Sequence, residues 1–165
     1  MPEHPYKIRV SNQGRGTGYA LSGKDIYFIV GGNMGERTAR ILLAKLGHGH
    51  KEALLNLAKR LGDAGFEIIY TELQDPEAIV GTAIQESVDH IGITILEDGD
   101  MGRVKEIKDL LNKQGESHIT LAVGGLLEGD NLLRAQKMGL DACFPKGTSY
   151  EELIEWAKNN IRSKA

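Results

Sequence analysis

The chain has 165 residues, a net charge of −3 and a single cysteine, with acids and bases mixed along its length. That length supports one well-buried core rather than two of ordinary size. The charge pattern leaves no basic footprint for nucleic acid and no polybasic segment for a membrane surface, and Cys143 alone excludes an internal disulfide framework.

Residues 1–37 form an extension with one expected strand, Ile26 to Val30, between the glycine clusters Gly14-Arg15-Gly16-Thr17-Gly18 and Gly31-Gly32-Asn33-Met34-Gly35. Neither cluster carries a phosphate-loop lysine, so both read as turns in a meandering arm. From about Thr38 the chain alternates short β-rich runs with helical periodicity, the mark of repeated βα units in a second region, residues 38–165. The first strand is Ala39 to Leu46, followed by the loop Gly47-His48-Gly49-His50. A helix with Leu54, Leu57, Ala58 and Leu61 on one face comes next. Phe66 to Tyr70 is the second strand, and Asp75-Pro76 opens a helix with a capping side chain and a proline at its first position. Ile91 to Leu96 is the third strand, and the acidic turn Glu97-Asp98-Gly99-Asp100 leads into a helix with Val104, Ile107, Leu110 and Leu111 facing inward. The fourth strand, Ile119 to Val123, runs into Gly124-Gly125; a helix with Leu132, Leu133, Ala135 and Met138 inward returns the chain to a fifth strand, Asp141 to Phe144. Thr148 and Glu151 have capping-box spacing for a terminal helix that packs through Leu153, Ile154, Trp156, Ala157 and Ile161.

Five strand–helix units predict an α/β, flavodoxin-like (Rossmann-like) doubly wound parallel sheet in the order 2-1-3-4-5. In that order the loops Gly47 to His50, Glu97 to Asp100 and Gly124 to Leu127 converge at the carboxyl ends of the strands, where open α/β sheets bind ligands. The two histidines of the first loop are candidate metal ligands. A bland reading stands beside each feature: a solvated loop for the histidines, a tight turn for Gly124-Gly125, a strand-end threonine for Thr94, and a small core residue for Cys143. A zinc or haem site on both histidines lacks the four ligands that structural zinc takes. The acidic turn reads better as a solvated loop than as a metal pocket.

Four runs carry a more specific message: Arg40-Ile41-Leu42-Leu43-Ala44-Lys45, Asp63-Ala64-Gly65-Phe66-Glu67, Val123-Gly124-Gly125 and Gly147-Thr148-Ser149. With them, the sequence from Arg40 onward resembles the cobalamin-binding domain of the methylmalonyl-CoA mutase family. Such domains hold cobalamin through a D-x-H-x-x-G loop, an S-x-L strand end and a paired glycine. Their histidine replaces the cofactor's own base below cobalt, and the displaced nucleotide tail threads between sheet and helices. The resemblance implies that His50 is the lower axial ligand to cobalt, with Lys45, His48 and Gly49 in the loop around it. It further implies that Thr94, Leu96, Gly124, Gly125, Phe144, Gly147 and Thr148 line the tail pocket. His48 stands where the family has its aspartate, Ala53 where it has the motif glycine, and the loop is one residue shorter after Lys45.

The cofactor implied is adenosylcobalamin or another cobalamin, and the role that of a small subunit of an acyl-CoA mutase, an isomerase that is not autonomous. A separate large subunit would then hold the acyl-CoA; a homodimer is compatible, and nucleic acid and membrane are not expected as partners. Two other readings remain open: a degenerate relative without cofactor that serves as a structural or regulatory module, and a corrinoid carrier for methyl transfer. The latter usually carries a helical cap domain, for which residues 1–37 are too short and too glycine-rich. Met1 to Arg9 has no apolar core of a signal peptide, and no apolar run spans a membrane, so a cytoplasmic location is expected.

Overall fold

The computed structural model describes residues 10–11, 17–18, 26–29 and 38–163. The two glycine clusters of the extension lie outside these residues except for Thr17–Gly18 (β2), which pairs antiparallel with Val10–Ser11 (β1). Ile26–Ile29 (β3) confirms the strand expected there and shows its use: it pairs antiparallel with the edge of the main sheet, Ile26 opposite Thr71 and Ile29 opposite Ile68.

The five expected strands are β4 (Arg40–Leu46), β5 (Glu67–Thr71), β6 (His90–Ile95), β7 (Thr120–Gly125) and β8 (Ala142–Cys143). They are parallel, and with β3 outside β5 the sheet order is β3-β5-β4-β6-β7-β8, so the 2-1-3-4-5 order holds for the parallel part. The helices α1 (Lys51–Asp63), α2 (Pro76–Gln85), α3 (Met101–Lys113), α4 (Gly129–Lys137) and α5 (Tyr150–Asn160) alternate with them. Among the described residues, no helix is long and apolar enough to cross a membrane.

Side chains alternate across a strand, so each strand divides its residues between two layers. Leu42, Ala44 and Leu46 of β4, Ile91, Ile93 and Ile95 of β6, and Leu121 and Val123 of β7 pack against α2, α3 and α4 in one aliphatic core. Ile41, Leu43, Ile68 and Tyr70 meet Leu54, Ala58 and Leu61 of α1 and Ala157 of α5 on the other face.

The helix starts are capped by local chemistry. Asp75 accepts the Ala78 N–H before Pro76, and Asp100 accepts the Gly102 N–H at 2.8 Å. The terminal helix departs from expectation by one residue. Its capping box is Ser149 with Glu152, because Thr148 donates its hydroxyl to the Pro145 carbonyl at 2.6 Å and belongs to the preceding turn. Leu133 is also corrected: it is 54% exposed, while Ala135 is buried and Leu132 and Met138 pack beside the core. Positions 132, 135 and 138 form the inner stripe of this short helix, and 133 falls off it.

Candidate functional site

The carboxyl ends of β4, β6, β7 and β8 open into a cleft of about 250 Å³ lined by His50, Thr94, Leu96, Gly125, Phe144 and Thr148, six of the predicted site residues. The cleft shares Thr94, Gly125 and Phe144 with a narrower slot of about 80 Å³ that runs down between the sheet and helices α1 and α5, past Gly124 to His90 and Trp156. The slot exists because the inward residues of two neighbouring strands are small. Gly92 pairs with Ala122 and Thr94 with Gly124, where the opposite face carries Ile and Val. Gly125 marks the junction of cleft and slot. Its φ is +93°, and a Cβ there would stand 2.7 Å from both the Ile95 carbonyl oxygen and Thr94 Cγ2, so only glycine fits.

The β4–α1 loop is held from three sides. Lys45, buried in β4, donates from Nζ to the Gly49 carbonyl at 3.0 Å and lies 3.9 Å from Glu72. Gln74 binds both backbone groups of Gly47, accepting its N–H and donating to its carbonyl, each at 2.8 Å. Asp98 accepts the His48 backbone N–H at 2.9 Å through one oxygen and faces His48 Nδ1 at 2.5 Å through the other. His48 hydrogen bonding holds the Asp98 carboxyl below its ordinary pKa. A Cβ on Gly47 would stand 2.5 Å from Asp98 Oδ1, which is why the loop begins with glycine at φ +111°.

The two histidines therefore have different situations. His48 has its Nδ1 on a carboxylate and its other ring nitrogen free of that bond, the arrangement that orients metal-binding imidazoles, yet it lies outside the cleft lining and is 88% exposed. His50 lines the cleft and, among the described residues, its ring has no hydrogen-bond partner. Its backbone is left-handed, φ 57° and ψ 24°, and it precedes α1 without capping it through the side chain. A non-glycine residue in that region is strained, and such strain clusters at functional positions. Of the remaining predicted residues, Lys45 and Gly49 act on the loop rather than in the cleft, and Gly147 lies in the Pro145 to Thr148 turn with φ +94°.

Sequence reasoning missed Asp98 as the partner of His48, since the acidic turn read as a solvated loop. Asp100 is committed to capping α3. Gln74, Tyr150 and the slot residue His90 were also not singled out, and Trp156, which lines the slot, was read only as a packing residue of the terminal helix. Tyr150 closes the cleft from α5, donating to the Ala53 carbonyl at 3.2 Å beneath the Arg60 guanidinium, 4.7 Å from the ring centre. Cys143 is half-buried and its thiol pKa is raised by burial, which fits a packing role. No group of three or more His, Cys, Asp or Glu among the described residues is arranged to hold a bare metal ion.

A family model described as "B12 binding domain" matches residues 39–154. The chain is 29% identical over 133 residues to the 2-hydroxyisobutanoyl-CoA mutase small subunit of Aquincola tertiaricarbonis, covering 79% of this chain and 98% of that one. It is 32% identical over 123 residues to the pivalyl-CoA mutase small subunit of Xanthobacter autotrophicus, covering 73% and 82%. Among solved structures, a cobalamin-binding protein from Desulfitobacterium hafniense DCB-2 shares the fold with a TM-score of 0.65 at 18% identity, over 76% of this chain and 60% of that chain.

Proposed function

The chain belongs to the B12-binding domain family, and on that premise we propose that it is the cobalamin-binding small subunit of an adenosylcobalamin-dependent acyl-CoA mutase. The observation that carries this reading is the convergence of His50, Thr94, Leu96, Gly125, Phe144 and Thr148 on one cleft that continues as a slot beside the sheet. The resemblance in size to two mutase small subunits supports the division of labour. Adenosylcobalamin, when bound, supplies a cobalt–carbon bond whose cleavage starts radical chemistry, and a partner large subunit would hold the acyl-CoA.

The protein's own residues would do the binding. His50 would ligate cobalt; it is exposed at the cleft, unengaged by any described side chain, and its loop is held by Lys45 and Gln74. Thr94, Gly124, Gly125, Phe144 and Thr148 would line the path of the nucleotide tail, Leu96 would flank the cleft, and Gly147 would shape the turn beneath Thr148. The His48–Asp98 pair would brace the loop against the neighbouring strand end.

One observation favours a second reading, a relative that has lost the cofactor: the available carboxylate is on His48 and not on His50. Cobalamin retention separates the two. The purified chain is mixed with hydroxocobalamin or adenosylcobalamin, freed of unbound cofactor and examined by visible spectroscopy, alone and with a mutase large subunit. Retained corrinoid with a histidine-ligated spectrum, lost in His50→Ala, supports the mutase-subunit reading. No retention in either setting supports the second.

A further inference from the structure

Deep in the slot lies a buried imidazole that the proposed ligand set does not use. His90 opens β6, is only 4% exposed, and among the described residues is the one titratable side chain lining the slot. Burial lowers its pKa to about 3, so the ring is neutral. Its Nδ1 lies 2.7 Å from Thr120 Oγ1, and the Thr120 hydroxyl donates to the Asp89 carbonyl at 3.3 Å. Both contacts are hydrogen bonds at once only when the hydroxyl gives its one proton to the carbonyl and Nδ1 carries the hydrogen of its own bond, and that assignment leaves Nε2 as an acceptor. Nε2 lies 4.0 Å from where a Cβ on Gly92 would stand, beside the space that glycine leaves open. Trp156, its ring centre 5.5 Å away, and Phe144, 5.5 Å beyond Trp156, complete an aromatic wall.

A neutral acceptor deep in a largely apolar slot discriminates by hydrogen bonding. A ring that enters with an N–H donor satisfies it, whereas one that presents only methyl groups leaves a buried polar nitrogen without a partner. Resting on the reading that the slot receives a nucleotide tail, we propose that His90 sets tail specificity: this chain selects corrinoids whose terminal base bears a hydrogen-bond donor, such as the exocyclic amine of adenine, over those ending in dimethylbenzimidazole. Thr120 is the positioning residue, because it fixes the tautomer.

The test compares two corrinoids that differ only in the tail base, adenine or 5,6-dimethylbenzimidazole, by visible titration of the full chain and of His90→Leu and Thr120→Val. The ratio of dissociation constants is expected to favour the adenine tail in the wild type and to fall by roughly tenfold in His90→Leu. Thr120→Val keeps the ring but frees the tautomer, so it is expected to show a smaller fall. An unchanged ratio in both variants, with both corrinoids still bound and the histidine-ligated spectrum intact, overturns the specificity role alone. Failure of the wild type to retain either corrinoid overturns the underlying cofactor reading as well, and the missing spectral signature distinguishes that case.

Discussion

The two faces of the sheet are built from the same strands but differ in character. Toward α2, α3 and α4, β6 presents Ile91, Ile93 and Ile95, each no more than 2% exposed, in a continuous aliphatic core. Toward α1 and α5 the same strand presents His90, Gly92 and Thr94, and β7 presents Thr120, Ala122 and Gly124 beside them. One face is filled, and the other is kept open along a line of small and polar residues. The lesson is that the slot needs no separate domain or insertion, only a change in side-chain size at every second residue of two central strands.

The largest expected effect tests the filled face. Ile93→Ala should lower unfolding free energy by about 3 kcal/mol through lost burial and a cavity that cannot collapse, whereas Gly92→Val, one residue away, should cost much less while abolishing corrinoid retention. The Cβ it adds would meet the flexible end of Leu43 at 3.1 Å and His90 Nε2 at 4.0 Å. Urea denaturation and corrinoid retention measured on both variants would break the comparison if stability and binding fell together in each.

Next in size is a pH dependence of the open face. His90 has its pKa lowered to about 3 from 6.5 by burial, so the unfolded chain takes up a proton that the folded chain refuses. Folding stability should therefore be undiminished above about pH 6.5 and fall by up to about 1.4 kcal/mol per pH unit below it, toward the folded-state value. Urea midpoints between pH 7 and pH 5 should show this slope in the wild type and less of it in His90→Leu; equal slopes would remove His90 as its source.

Smaller changes sharpen the loop above the slot. His50→Gly removes a left-handed non-glycine residue and should raise stability by up to about 1 kcal/mol while losing the histidine-ligated spectrum, a gain in folding against a loss in binding. A fall in stability would mean that the ring itself packs in the cleft. The smallest effect is expected for Asp98→Asn, since both partners of the His48 pair are exposed. Denaturation midpoints at neutral pH should hardly move, while amide exchange at Gly47 to Gly49 should quicken. In the wild type this brace is present above the usual aspartate range and fades as pH falls through the depressed Asp98 value.

Much of this architecture was legible in the sequence because periodicity is local. The five strands and their helices follow from apolar spacing and from turn and cap signals, and the order from the doubly wound topology that repeated strand–helix units adopt. The docking of Ile26–Ile29 on β5 was not legible, since strand partnership depends on residues far apart in the chain. The same reason hid Asp98, which meets His48 across a separation of 50 positions. At α5, Thr148 with Glu151 and Ser149 with Glu152 have identical spacing, and only the Pro145 turn decides between them. The slot did leave a trace in the sequence: the run His-Ile-Gly-Ile-Thr-Ile alternates in size within a strand expected to be buried on both sides. Uniform hydrophobicity would have served a sheet packed equally on its two faces.

The lengths of the outermost strands matter for solubility. β4 through β7 are five to seven residues long, but β8 has two residues, and on the opposite side β3 adds four in antiparallel sense outside β5. A long, flat, aliphatic margin invites another chain to add itself as a further strand. Here the longest aliphatic strand, β4, lies inside the sheet, and β8 offers a newly made copy only two residues of ladder on which to pair.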